Sequence, residues 1–428
     1  MATDRVIYQS ESLYTSKLKG TGASDLIDDG DLKEINRVQD MSYNLEVSRT
    51  DVNEFGQLAA LSREVTEPPT VGLDFSYYLT DGTQEADLGF NINSGSNFQL
   101  SGATPMTKQL LDGSNDLDEL NYYVVTVPEG EDVHGQSPVS AADHGVIGIG
   151  NGFITSYGIT AAVGELASAS VSVEASNIMF KNGLNAAFDN PAIDTDSSTG
   201  ARLPNKVNFA NVASSDGDIT VGGEELFAIR PGDISIDFDA KGYFNTNEAG
   251  KLSVGGAVLP GVNATKSQSA IHVQNISLDV PVGRSPLNRL GSLYPFKRKV
   301  DFPVNMTLSV SALMTEFSDG SLDGLLCGSE QKRDIAIVLN TRCGKNNALV
   351  YLMKNAILDT QSFSASIGDN KTVDLTFSSQ VGGANDSENG IFLISEAGNS
   401  VTANSGLPVE TPTTTSTTTT TTTTTPTV

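Results

Sequence analysis

Two stretches far apart in this chain carry the same alternation of apolar and polar residues in the same order. Residues 41–79, MSYNLEVSRTDVNEFGQLAALSREVTEPPTVGLDFSYYL, run parallel to residues 276–314, ISLDVPVGRSPLNRLGSLYPFKRKVDFPVNMTLSVSALM. Tyr43, Leu45 and Val47 alternate with polar residues in the first, and Leu278, Val280 and Val282 do so in the second. Period-two alternation predicts strands with one covered face. An arm follows in each, with Phe55-Gly56-Gln57-Leu58 opposite Leu290-Gly291-Ser292-Leu293. A second alternating run comes next, and Val71, Leu73, Phe75 and Tyr77 align with Val304, Met306, Leu308 and Val310.

The parallel continues downstream. Asp81-Gly82-Thr83 matches Asp319-Gly320-Ser321, and each opens a short apolar-periodic piece. Thr83 and Ser321 are expected to cap short helices. Nearly continuous apolar runs follow: YYVVTV at 122–127 and IAIVL at 335–339, then HGVIGIGNGFI at 144–154 and NNALVYLMKNAI at 346–357. Such runs suit strands covered on both faces. Finally residues 156–176 line up with 360–380 as a strand, a Gly-bearing turn and a returning strand, which is a β-hairpin. Ala169, Val171 and Val173 fall on Val373, Leu375 and Phe377.

Chance alternation explains any one pair of strands, but not four elements in one order with similar spacing. The expected fold is mainly β, of sandwich or barrel type, tandemly duplicated, with a short helix in each domain. The domains span 1–180 and 221–400, and 181–220, rich in Asp, Ser, Asn and Gly, reads as a linker. Residues 401–428 end in polythreonine, which has nothing to bury and reads as a flexible tail. The N-terminus has no basic segment followed by an apolar one, so a cytoplasmic origin is expected. No run approaches the ~20 apolar residues of a membrane-spanning helix.

Charge separates function classes. The chain carries 26 Lys and Arg against 52 Asp and Glu, a net −26. A protein that grips phosphates concentrates positive charge, and this one does the opposite. Sorting the alternating strands by face sharpens the point. The polar set includes Asn44, Glu46, Gly72, Asp74, Ser76, Ser170, Ser172 and Glu174 in one repeat, and Ser277, Asp279, Thr307, Ser309, Asp374 and Thr376 in the other. Every charged member is acidic. Such a face repels phosphate and suits the wall of a conduit for DNA, although an ordinary solvated sheet face in an acidic protein has the same composition. The arms contrast: Arg49, Arg63, Arg284, Arg289, Lys297, Arg298 and Lys299 stand beside Phe55, Leu58, Leu61, Leu287, Leu290, Leu293 and Tyr294. A loop this apolar and basic fits either an acidic neighbouring subunit or its own domain.

Catalytic, cofactor and metal constellations are missing from the pattern. His134, His144 and His272 lack ligand spacing, and Cys327 and Cys343 lack a CxxC or a nearby His. GVIGIGNG at 145–152 has closely spaced glycines, but it lies in an apolar strand run without a following helix. No enzyme is expected.

The hairpin ITSYGITAAVGELASASVSVEASNI, with its Ser-Tyr, Val-Gly-Glu and returning Ser-rich strand, resembles the tail tube proteins of tailed bacteriophages. The doubling is similar to the tube proteins of some long, flexible-tailed phages. That resemblance implies subunits in stacked rings, three chains mimicking six-fold symmetry, around a channel. It implies growth around a tape-measure protein, contact with tail terminator and tail-tip proteins, passage of genomic DNA without tight binding, and no membrane partner. The location implied is the virion tail, assembled in the host cytoplasm. Carried onto this sequence, the channel wall would use Glu46, Asp74, Glu174, Asp279 and Asp374. The arm contacting the adjacent ring would use Arg49, Phe55, Leu58, Leu61, Leu287, Arg289, Leu290, Leu293 and Tyr294. A different virion protein, such as a tail-tip subunit, and a surface adhesion β-protein are the alternatives.

Overall fold

The computed structural model describes residues 11–19, 27, 31–94, 104–112, 117–127, 133, 145–182, 188–195, 197–207, 209, 220–221, 224–225, 228–237, 271–314, 332–340, 347–364 and 372–395. The threonine-rich tail, both cysteines and the second expected helix with Ser321 lie outside them.

The first half supplies β1 (Glu11–Lys17), β2 (Lys33–Ile35), β3 (Val38–Glu46), β4 (Arg49–Val52), β5 (Ser62–Val65), β6 (Thr70–Tyr78), α1 (Thr83–Asp87), β7 (Ile92–Ser94), α2 (Lys108–Asp112), β8 (Leu120–Thr126), β9 (Gly145–Ala162), β10 (Ser168–Ala175) and β11 (Asn177–Asn182). Then come β12 (Phe188–Asp189), β13 (Lys206–Val207), β14 (Thr220–Val221), β15 (Glu224–Glu225) and β16 (Ile234–Asp237). The second half supplies β17 (Ile271–Pro281), β18 (Arg284–Leu287), β19 (Lys297–Val300), β20 (Val304–Met314), β21 (Lys332–Asn340), β22 (Asn347–Ser364), β23 (Thr372–Val381) and β24 (Gly390–Ser395). The protein is mainly β, as the alternation requires.

Strand pairing repeats. In the first half the antiparallel order is β1-β8-β9-β10-β6-β3, and β11 also pairs with β9. In the second it is β16-β21-β22-β23-β20-β17, and β24 also pairs with β22. Even the irregularities coincide. The first strand of each set is bulged near its start, between Val38 and Asp40 and between Val273 and Asn275. The hairpin is bulged between Ser172 and Val173, and between Leu358 and Thr360. A bulge adds one unpaired residue and bends its strand, so matched bulges impose matched curvature.

The register corrects one alignment read from sequence. Phe75 pairs with Met41 and Val171, while Val310 pairs with Ile276 and Leu375. Val71, Leu73, Phe75 and Tyr77 therefore correspond to Met306, Leu308, Val310 and Ala312, two residues further on than the alternation suggested. Period-two patterns are blind to a slip of two, because each residue keeps its face. With the slip removed the arms are equal in length. Arg49 and Arg284 open them, and Gly56 and Gly291 occupy the same place with φ of 100° and 87°.

The two long strands, β9 and β22, each of 18 residues, do two jobs. Their first halves pair with β8 and β11, or with β21 and β24; their second halves pair with β10 or β23. The turn between the halves is marked in each by an asparagine in the left-handed region, Asn151 (φ 58°) and Asn355 (φ 51°), a conformation Asn tolerates better than most residues. The Asn151 amide oxygen accepts from the Ile193 N–H at 2.7 Å, and its NH2 donates to Glu119 Oε1 at 2.7 Å.

Two other expectations change. Thr83 is not the cap of α1. Gly82 occupies that position with φ 92°, and the Asp81 carboxylate accepts from the Thr83 N–H and hydroxyl at 3.1 and 2.8 Å. The segment read as a linker also folds in part. β12 pairs with β13, and Phe188, Ile193 and Val207 are buried against the first repeat. This explains the glycine run in β9. A Cβ on Gly150 would stand 2.3 Å from the Pro191 carbonyl oxygen, and one on Gly148 2.5 Å from the Phe188 ring. The corresponding strand of the second repeat has Leu352 and Lys354 there. The close glycines are a seat for residues 188–193. Gly150→Val should therefore unseat that segment and destabilise the protein by about 1–3 kcal/mol, the usual cost of overpacking, seen as a lowered midpoint in thermal unfolding.

Candidate assembly surface

The C-terminal half of β9 pairs antiparallel with β17, from Ala162 opposite Asn275 to Ser156 opposite Pro281. The two repeats thereby share one sheet in the order β3-β6-β10-β9-β17-β20-β23-β22. One face packs inward through Val71, Leu73, Phe75, Val171, Ile159, Leu278, Leu308 and Leu375, all part of one core. The other face is small and polar. A single row of paired residues crosses seven strands as Asp40, Ser76, Ser170, Gly158, Asp279, Thr307 and Ser378. Hydroxyls bond along this face at equivalent places, Thr160 to Ser168 and Ser364 to Thr372.

Of the acidic residues expected on the wall, Glu46, Asp74, Asp279 and Asp374 are exposed on this face. Glu174 shares the face but ion-pairs with Arg298 of the second arm. That arm is rooted on the first repeat. Arg284 stacks over the Phe153 ring at 4.8 Å and donates to the Leu110 carbonyl at 2.7 Å, and Arg298 lies over the same ring at 5.5 Å. Charge and ring thus fix the arm's base.

The arms beyond their bases project. Phe55, Leu58 and Leu290 are fully exposed, and Leu61, Leu293 and Phe296 are partly so. Arg49 is exposed at the foot of the first arm, where Arg63 pairs with Asp51 at 2.8 Å. Leu287 is half-buried in β18, and Arg289 approaches the Phe296 ring at 6.0 Å. Tyr294 differs from the rest. It lies over Gly200, where a Cβ would stand 2.5 Å from its ring, so it anchors the arm to its own chain.

A second layer of contacts joins the repeats beneath the sheet. The Tyr77 and Tyr157 hydroxyls donate to Glu85 Oε1 at 2.9 and 3.0 Å, and Tyr157 meets the Tyr351 hydroxyl of the second repeat at 2.7 Å. Burial raises the Glu85 pKa, opposed by the tyrosine hydrogen bonds. β7 adds to β24 as a parallel strand, Ser395 donates to the Asp81 carbonyl, and the Met106 N–H donates to the Ile391 carbonyl at 2.7 Å. None of these polar partners was legible in the alternation, because each is long-range and buried.

Among the described residues, no group of three or more His, Cys, Asp or Glu could hold a metal ion. Among them too, no helix is long and apolar enough to cross a membrane. No family model matches the chain, and no curated protein matches it. A solved structure of the SPP1 tail tube aligns with 10% identity over 42% of this chain and 80% of that one, with a TM-score of 0.27. At that score the likeness decides neither fold nor function.

The arm's base has a pH consequence. Burial pushes the Glu119 carboxyl up to about 7, against the opposing hydrogen bond from Asn151 and the charges of Arg298 and Arg284; Asp118 adds to the rise. A carboxyl that holds its proton more tightly when folded stabilises the fold in acid. Its contribution falls as pH climbs from about 4.5 to about 7 and is then flat. Glu119→Gln keeps the acceptor for Asn151 and removes the titration. The variant should unfold at a higher temperature than the parent at pH 8, and the gap should close towards pH 4.5 in a series of thermal melts.

Proposed function

We propose that this chain is a structural protein of a bacteriophage tail that polymerises into the tail tube. The observation that carries the reading is the continuous sheet of two repeats, apolar on one face and lined on the other by Ser, Thr, Gly and carboxylates, with no Lys or Arg on β3, β6, β10, β9, β17, β20, β23 or residues 357–364 of β22. DNA sliding past such a face meets no phosphate anchor, and the carboxylates keep the backbone at a distance. Glu46, Asp74, Asp279 and Asp374 line the channel, while Glu174 is neutralised by Arg298. Sheet margins left open invite pairing, and joining them into a closed ring removes the edges. Two repeats per chain make a ring of three chains with pseudo-six-fold symmetry the economical closure. The exposed arms, with Phe55, Leu58 and Leu290 at their ends, then reach the adjacent ring, where an apolar tip finds cover. In this role the tube grows around a tape-measure protein, ends against terminator and tip proteins, and delivers DNA without binding it tightly.

Concentrated purified protein should form rings or hollow tubes in negative-stain microscopy. Monodisperse monomers at every salt concentration would overturn the proposal. Leu290→Asp with Leu293→Asp should shift the population from tubes to single rings while the far-ultraviolet circular dichroism stays unchanged. Tubes of normal length from this variant would remove the arms from the inter-ring contact.

A further inference from the structure

The junction inside the chain is a template for the junction between chains. Within the molecule the outer edge of one repeat's long strand, β9, meets the first strand of the next repeat, β17. The matched bulges fix the equivalent positions on the two free margins: β3 corresponds to β17, and the end of β22 corresponds to the end of β9. Among the described residues β3 pairs along its length only with β6, and residues 358–364 pair only with β23.

Burial tells the same story. Leu278 and Val280 are 2% and 0% exposed at the internal junction, whereas their equivalents Tyr43 and Leu45 on β3 are 39% and 53% exposed. Ile159 is 3% exposed, and its equivalent Phe363 is 47% exposed. These are core-face positions of a sheet. Among the described residues no strand pairs on their outer side, and the strand that fits each margin is the one at the opposite margin of another copy.

Resting on the tube reading, we infer that chains join head to tail by pairing β3 of one copy with residues 360–364 of the next, in the register of the internal junction. Transferring that register places Ser42 opposite Ser364, Tyr43 opposite Phe363, Asn44 opposite Ser362, Leu45 opposite Gln361 and Glu46 opposite Thr360. The partner is a second copy of this chain, and the interface is heterologous, so it closes a ring or extends a filament according to the rotation per chain. The arm takes part as well. Arg284 and Arg298 clasp Phe153 inside the chain. Their counterparts Arg49 and Arg63 come over the position equivalent to Phe153, which is Ile357, exposed at 44%. Without a ring there, and with Ser378 in place of Glu174, the junction between chains lacks the cation-aromatic clasp and the ion pair of the internal one.

The test uses the full chain with Cys327→Ser and Cys343→Ser. Ser42→Cys with Ser364→Cys places thiols on the solvent face in the inferred register. The two positions lie at opposite margins of one sheet, so a bond between them must link two chains. Glu46→Cys with Ser364→Cys is the out-of-register control, about 13 Å off along the strand and beyond disulfide reach. Mild oxidation of assembled protein should convert the in-register variant into a ladder of covalent oligomers in non-reducing gels, while the control stays monomeric. Rings in the microscope with no in-register crosslink would overturn this inference and leave the tube reading standing. Crosslinked open chains without rings would support the junction and overturn the tube reading. Absence of both assembly and crosslinks would overturn both.

Discussion

An exposed strand edge is a row of unsatisfied backbone donors and acceptors, and the pairing of β9 with β17 removes one such edge from each repeat. Most of the surface described above depends on that contact. It aligns the polar faces of the two repeats into one wall. It buries Leu278 and Val280, each of which would expose side-chain area worth about 1.5–3 kcal/mol if the junction opened. It also brings the second arm's base over Phe153, so that a hairpin belonging to one repeat is held by the other.

Local periodicity made the strands, their inward faces and the duplication legible, because alternation reports which side of a strand is covered. It misplaced the second strand by two residues, since a slip of two preserves every face. It also took Thr83 for a cap where Asp81 supplies the oxygen, and residues 188–207 for a linker where Phe188 and Val207 are buried. Those errors share a cause. A polar or mixed segment earns its place through one close approach, and the signal for it sits elsewhere in the chain. For residues 188–193 that signal is the glycines of β9, which alone are only closely spaced glycines in an apolar strand run and with Pro191 are clearance for a backbone.

The polar network beneath the sheet was hidden for a related reason. Tyr77, Tyr157 and Glu85 are unremarkable letters in strand and helix patterns, and Tyr351 lies in a run that reads as plain core. Only the fold brings them to one carboxylate. A buried carboxyl is tolerated when its lone pairs are met, and the two tyrosine hydroxyls do that for Glu85 Oε1. Through Tyr157 and Tyr351 the network also ties the repeats by a hydrogen bond, which is directional where hydrophobic contact is not.

The two repeats are alike in path and unlike at their junction chemistry, and the difference follows from when each margin meets its partner. The internal junction forms as the chain folds, so it can carry groups that would be costly in isolation: Tyr157 buried to its hydroxyl, Glu85 inside the core and an arginine pair over Phe153. On the tube reading, the outer margins spend time in water before assembly. Their equivalents are Gln361 for Tyr157 and Ile357 for Phe153, with Ser378 on the adjoining strand for Glu174. Each either tolerates hydration or leaves no buried charge without a partner. A margin built this way gives up strength per contact and keeps the unassembled chain soluble, which a net charge of −26 also favours through mutual repulsion. Assembly then has to overcome that repulsion with backbone pairing and a few apolar side chains, so screening by salt should act on the outer junction far more than on the buried inner one.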